Sequence, residues 1–284
     1  MDKETNDGRP IEIPRDFINI RRVFASKNPA LSRLLPWFVM DYLRKIIHED
    51  AINAVLYANR DKWGLDFVDA ILQYFNAELV VVDKENIPEN GRYVLISNHP
   101  LGGLDGIALM SVVGSVRKDI VFPVNDLLLN IPNMKDLFIP INKHGSNAAN
   151  VRLINETFAS DKLILYFPAG LVSRKRKGVI RDLEWKKTFV TKARRYDRDI
   201  IPVYMDGRNS NFFYNLANFR KWMGIRSNIE MLYLVNEMYH QRNRVIKMIF
   251  GKPVPIAELD RSKTDAYWAG YLKEKVYSLN PDKT

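Results

Sequence analysis

The chain has 284 residues, of which 46% are apolar and 11% aromatic, and a formal net charge of +10. That composition supports a full buried core and excludes an intrinsically disordered chain. It has no cysteine, which excludes disulfides, thiolate-bound zinc and thiol nucleophiles and fits a reducing compartment.

The chain opens on Met1-Asp2-Lys3-Glu4-Thr5 with no apolar stretch behind it, so no secretory signal is expected. No apolar run approaches the ~18 residues of a bilayer-spanning helix. The first twenty or so residues, with Pro10 and Pro14, read as a poorly packed arm. Helical periodicity begins near Pro36, a favoured first helical position, and gathers Phe38, Val39, Tyr42, Leu43, Ile46 and Ile47 on one face. Ile52, Val55 and Leu56 form a second apolar face, and Leu65–Asn76 a third.

From Leu79 the pattern changes to short β-rich runs: Leu79–Val82, Tyr93–Ser97, Asp119–Val124, Leu137–Ile141, Leu163–Phe167, Ile200–Met205 and Ile246–Phe250. Helical patterns lie between most of them, notably Leu104–Val113, Asn147–Phe158 and Glu184–Tyr196. Strands that alternate with helices, and are apolar throughout, predict an α/β fold: a mostly parallel twisted sheet covered by helices on both faces. The expected organisation is a helical N-terminal segment over residues 1–76 and one α/β domain over residues 77–284.

The net charge is concentrated. Between Val172 and Arg198 eleven basic residues stand against Asp182, Glu184 and Asp197. Such a run suits a polyanionic partner or a solvated basic helix face. Lys192 and Arg198 are read as solubilising charges. Nucleic acid is not expected as a partner, because no recognised binding module accompanies the charge.

The stretch Val94-Leu95-Ile96-Ser97-Asn98-His99-Pro100-Leu101-Gly102-Gly103-Leu104-Asp105-Gly106 places a histidine where a strand ends and an aspartate in the first turn of the following helix. Ligand sites in open α/β sheets lie at the carboxyl ends of strands. A histidine there can take a proton from an attacking hydroxyl, and a carboxylate on its other ring nitrogen fixes the tautomer. Gly102-Gly103 allows the sharp turn that brings Asp105 back to His99. The plainer reading is a loop histidine beside a structural aspartate. His48 and His240 lack such partners, His144 reads as a polar loop residue within reach of a substrate, and no spacing resembles a metal site.

Asn98-His99 followed by an aspartate resembles the glycerolipid and lysophospholipid acyltransferase family, whose mark is His, four residues, then Asp; here five residues intervene. The string NHPLGGLDG looks like a bacterial branch of that family that carries a hemolysin label and is similar to the O-acyltransferases of ornithine and glycine lipids. Three further blocks follow in the family's order. Phe138-Ile139-Pro140-Ile141-Asn142-Lys143 matches the acceptor-binding block, with Lys143 as its basic residue. Tyr166-Phe167-Pro168-Ala169-Gly170-Leu171-Val172-Ser173-Arg174 resembles the family's Phe-Pro-Glu-Gly-Thr-Arg-Ser, with Ala169 in place of the glutamate. Ile201-Pro202-Val203 resembles the fourth block.

The resemblance implies an O-acyltransferase with His99 as general base and Asp105 as its support. It would move a fatty-acyl group from a thioester of acyl carrier protein or coenzyme A, a co-substrate rather than a resident cofactor, to a lyso-lipid hydroxyl. Asn98, Gly102, Gly103, Lys143, Phe167, Pro168, Gly170, Ser173, Arg174 and Lys175 would bind substrate, with backbone N–H groups of Gly102–Gly103 or Gly170 facing the oxyanion. The altered second block suits an N-acylated amino acid, lyso-ornithine or lyso-glycine lipid, as acceptor; lysophosphatidic acid is the alternative. A non-catalytic membrane-binding protein is the reading of another class. The enzyme is expected on the inner face of the cytoplasmic membrane. Leu34–Ile47 and Asn211–Arg226, both mixing aromatic and basic residues, are the candidate contacts with an anionic surface.

Overall fold

The computed structural model describes residues 13–27, 34–124, 128–140 and 148–280. Helices α1 (Ile20–Lys27), α2 (Trp37–Ile46), α3 (Glu49–Ala58) and α4 (Gly64–Phe75) precede the first strand. The chain then runs β1 (Glu78–Val82), β2 (Tyr93–Ser97), α5 (Gly103–Gly114), β3 (Ile120–Val124), β4 (Phe138–Pro140), α6 (Ala148–Ala159) and β5 (Leu163–Tyr166). It continues through β6 (Arg174–Arg176), β7 (Val179–Arg181), α7 (Thr188–Arg195), β8 (Asp199–Met205), α8 (Asn211–Trp222), α9 (Leu234–His240), β9 (Val245–Phe250) and α10 (Asp265–Tyr277).

Seven strands form one sheet in the order β1-β9-β8-β2-β5-β3-β4. Its central block, β8-β2-β5-β3-β4, is parallel, while β9 pairs antiparallel with β8 and parallel with β1. The alternation of side chains along each strand builds two cores. Leu95, Leu163, Leu165, Ile201, Val203 and Met248 point to the face covered by α4 and α5. Val94, Ile96, Ile164, Ile200, Tyr204 and Ile249 point to the face covered by α7 and α10. Both faces are dry, which is why these strands carry no polar alternation. Phe67, Val68 and Phe75 of α4 share the first core with the sheet, whereas Met40, Leu43 and Ile46 of α2 join Ile20 in a small separate cluster.

Two local expectations change. The helix expected from Glu184 begins at Thr188: residues 182–186 are in neither helix nor strand, and Trp185 is buried in the second core. The basic run is not one helix face. Arg174–Arg176 and Val179–Arg181 pair as an antiparallel hairpin that turns through Lys177 and Gly178, both at positive φ. Several of its charges are turned inward. Arg198, expected at the surface, is fully buried and donates to the carbonyls of Phe158 (2.7 Å), Lys162 (2.8 Å), Tyr93, Thr157 and Ser160. These carbonyls lie at the end of α6 and the strand entrances beside it, so one guanidinium ties several backbone segments together. Burial, with Arg92 nearby, pulls its pKa down to about 10. Lys192 is likewise half-buried, against Asn155.

Arg198→Met should therefore destabilise the fold by about 2–4 kcal/mol, read as a lower urea midpoint at unchanged slope. A loss below about 1 kcal/mol would mean that those carbonyls find other donors.

Candidate active site

β2, the central parallel strand, ends at Ser97, and the loop that follows is pinned at every step. Asn98 is buried, and its amide both donates to Met205 O (2.8 Å) and accepts from Met205 N (2.7 Å), clamping the loop to the end of β8. It therefore sets the position of its neighbour. Gly102 then turns the chain at φ +92°, a conformation that side chains disfavour, and a Cβ there would meet Leu234 at 2.9 Å. Helix α5 starts at once.

Asp105, the third residue of α5, is completely buried, and its carboxylate folds back over the first turn. Oδ2 accepts from the N–H of Leu101 (2.9 Å) and Gly102 (3.2 Å), and Oδ1 from that of Gly106 (2.9 Å). The same Oδ2 meets His99 Nδ1 at 3.0 Å. An acceptor-only carboxylate places the imidazole proton on Nδ1, which leaves the Nε2 lone pair without a partner among the described residues. The fifth intervening residue is thus absorbed by the turn at Gly102, and the pairing survives.

The ring is held on its face as well. Phe167, from the loop after β5, stacks on it at 4.2 Å between centroids and 18° between planes, and Phe122 meets Phe167 edge-on. The main chain of His99 is fixed from the hairpin side. Its N–H donates to Asp182 Oδ1 (3.2 Å), and its carbonyl accepts from Ser173 N (2.8 Å). Asp182 also accepts from the Ser173 hydroxyl (2.6 Å) and Trp185 Nε1 (2.9 Å), and its own N–H donates to the Tyr277 hydroxyl (2.8 Å). Asp182, Trp185 and Tyr277 have no mark in the sequence; Asp182 lies 83 residues from the histidine it holds.

The remaining candidates divide. Ser173 is buried and serves the loop rather than a substrate. Pro168 and Gly170 shape the turn after β5: Gly170 N–H closes on Phe167 O (3.1 Å), and Lys186 N–H reaches Pro168 O (3.1 Å). Arg174, expected to bind substrate, is 7% exposed, and its guanidinium donates to Glu230 (2.9 Å) and Val172 O (2.8 Å). Glu230, fully buried, also takes Arg220 (2.6 Å), so the two cations neutralise a structural carboxylate and Arg174 is closed to ligands. Lys175 leans toward Asn211 (3.5 Å). Lys143, with Asn142 and His144, lies outside the described residues. Of the expected oxyanion donors, the N–H of Gly102 is taken by Asp105 and that of Gly170 by Phe167. Gly103, exposed at the first position of α5, has an N–H with no partner among the described residues. Among those residues no acidic and histidine cluster can hold a metal ion.

Against this geometry the comparisons are specific. The family model described as acyltransferase matches residues 22–282. This chain belongs to the acyltransferase family. The lyso-glycine lipid O-acyltransferase of Bacteroides thetaiotaomicron is 46% identical over 265 residues, covering 93% of this acyltransferase and 97% of that protein. The protein of the same title from Phocaeicola vulgatus is 44% identical, covering 93% and 95%. Among solved structures, the 1-acyl-sn-glycerophosphate acyltransferase of Thermotoga maritima aligns over 84% of this chain and 95% of that one, at 16% identity and a TM-score of 0.48.

In this acyltransferase the electrostatics around His99 oppose one another. Burial, the largest single effect, favours the neutral ring, and Arg174 acts the same way. The charge and hydrogen bond of Asp105, joined by the charge of Asp182, outweigh both and raise the pKa above the ordinary 6.5. An imidazole must be neutral to take a proton, so an activity that uses His99 in that way should climb with pH through the raised value. Asp105→Asn removes the largest raising effect and leaves burial in place. The acidic limb of kcat/KM should then move to lower pH while kcat falls roughly 10²–10⁴-fold. A limb that stays where it was in the variant would detach the titration from this pair.

Proposed function

We propose that this acyltransferase moves a fatty-acyl group from a thioester of acyl carrier protein or coenzyme A to the free hydroxyl of a lyso-lipid, an N-acylated glycine in the first instance. The observation that carries the reading is the 3.0 Å contact from Asp105 to His99 Nδ1, with Nε2 left unengaged at the carboxyl edge of the sheet. The acceptor is supported by the two relatives titled lyso-glycine lipid O-acyltransferase, whose alignments span 93% of this chain.

Chemically, the acceptor hydroxyl gives its proton to His99 Nε2 as its oxygen bonds to the thioester carbonyl carbon. The imidazolium that forms lies against Asp105, with Asp182 close to the main chain. The oxyanion develops beside the start of α5, where the N–H of Gly103 and the helix dipole both favour negative charge. The C–S bond then breaks, and the thiolate leaves or takes the proton from Nε2. A thiol ionises near pH 8.5, so it departs without a dedicated acid. Ser173, whose hydroxyl is bonded to Asp182, takes no part as a nucleophile.

A lyso-lipid acceptor requires contact with a membrane surface. Among the described residues no helix is long and apolar enough to cross one. The two aromatic stretches instead come together. Tyr233 packs edge-on against Tyr42 of α2 at 6.4 Å and against Phe212 of α8 at 4.9 Å, and the two tyrosine hydroxyls bond at 2.7 Å. On either side Trp37 and Trp222 are 71% and 78% exposed, with Phe38 and Phe219 beside them. Lys45, Lys221 and Arg226 are exposed on the same two stretches. Exposed aromatics with basic neighbours suit insertion at an anionic lipid surface.

His99→Ala should abolish acyl transfer in a purified assay while leaving the fold and vesicle binding intact; full turnover by that variant would remove His99 as the base. Mass spectrometry of lipids from cells with and without the gene should show glycine lipid lost and its lyso form accumulating. A change confined to phosphatidic acid would assign lysophosphatidic acid instead. For the surface, Trp37→Ser with Trp222→Ser should cut co-sedimentation with anionic vesicles by roughly tenfold, about 1.4 kcal/mol, without changing the thermal midpoint. Undiminished binding by the double variant would place the contact elsewhere.

A further inference from the structure

A cavity of about 490 Å³ opens between the β6–β7 hairpin and α10, on the far side of Asp182 from the imidazole. It exists because α10 turns two small residues one turn apart, Ala266 and Gly270, toward the hairpin; a Cβ at position 270 would meet nothing within 4 Å. Its lining carries Arg174, Arg176, Arg181 and Lys273 against Asp182, Glu184 and Glu274. Arg176 is exposed with no ion-pair partner among the described residues. Arg181 is fixed over the Tyr277 ring (4.1 Å) and bonds Glu274 (2.8 Å), yet its Nε is buried without a partner among the described residues. Lys273 is anchored through two carbonyls, Asp182 O (2.8 Å) and Leu183 O (3.0 Å), which leaves its third proton available. Of the acids, Asp182, Glu184 and Glu274 stand in the lining, the Asp182 carboxylate being already engaged by the N–H of His99, the Ser173 hydroxyl and Trp185 Nε1. A buried guanidinium nitrogen with no acceptor, in a roomy cavity with two further cations, calls for an anion.

The position of the cavity decides which anion. Asp182 is the shared wall: its main chain borders the cavity and its carboxylate holds the catalytic loop. His99 itself does not line the cavity. In an N-acylated glycine the carboxylate is only a few bonds from the reacting hydroxyl and must bind next to the imidazole. In both coenzyme A and acyl carrier protein the thioester sits at one end of a long pantetheine arm and a phosphate at the other. We propose that this cavity is the anion subsite for the phosphate of the donor's phosphopantetheine arm, with Arg176, Arg181 and Lys273 as its cations. The inference rests on the thioester donor of the proposed reaction.

The test is steady-state kinetics of Gly270→Phe, which fills the cavity from an open helical position, and of Arg176→Glu, which reverses a charge in its lining. Neither residue belongs to the catalytic loop. Three donors with one acyl group are compared: the coenzyme A thioester, the carrier-protein thioester and the N-acetylcysteamine thioester, which has no phosphate. KM for the two phosphate-bearing donors should rise about tenfold or more, while kcat/KM for the truncated donor and KM for the acceptor stay within about twofold. An equal loss with the truncated donor, a raised acceptor KM, or no change with any donor would overturn the subsite. So would a rise confined to coenzyme A, which would place its nucleotide there. His99→Ala keeps the two readings apart. Loss of turnover on all three donors reports the chemistry, and normal turnover of the truncated donor by that variant would end the base assignment without touching the KM comparison.

Discussion

The buried carboxylate of Asp105 is the interaction on which the site depends. One side chain accepts two N–H groups of the incoming loop, one of its own helix and the Nδ1 proton of His99. At the start of α5 it meets the positive end of the helix dipole, which favours a carboxylate even in a dry setting. Loop shape, imidazole tautomer and the availability of Nε2 therefore follow from the same atoms. A change that moved the turn would also move the imidazole.

The rest of the loop is organised so that this contact has little freedom. Asn98 joins it to β8, and Ser173 and Asp182 join it to the hairpin segment; α10 supports Asp182 through Tyr277. Ser173 and Asp182 thus meet the backbone of His99, β8 and α10 act through Asn98 and Asp182, and Phe167 closes the ring face. Placing a histidine this way costs conformational freedom, which the surrounding sheet and helices offset by burial on both sides.

The basic run between Val172 and Arg198 illustrates how the same charge can hold a fold or meet a ligand. Arg198 gathers backbone carbonyls at the end of α6, and Arg174 joins Arg220 on the buried Glu230, linking the hairpin to α8 with its exposed aromatics. That ion-pair group stands between the proposed membrane face and the loop that carries His99, since Arg174 directly follows Ser173. Arg176 and Lys177 remain outward and exposed.

Much of this was legible in the amino-acid order. The seven strand runs, the helices between most of them, the turn at Gly102 and the pairing of His99 with Asp105 are local matters: hydrophobic period, backbone permission and short separation decide them. Partners at long separation were not legible. Nothing local distinguishes Asp182 from the acids near it, shows that β9 runs against β8, or tells a buried Arg198 from an exposed Arg195. An ion pair or an orphan carbonyl becomes a constraint only when folding removes water from both sides of it. Sequence alone determined which residue types stand at the carboxyl edge of the sheet. Tertiary packing decided which charges are desolvated and paired and which stay open, because that depends on what the rest of the chain brings alongside.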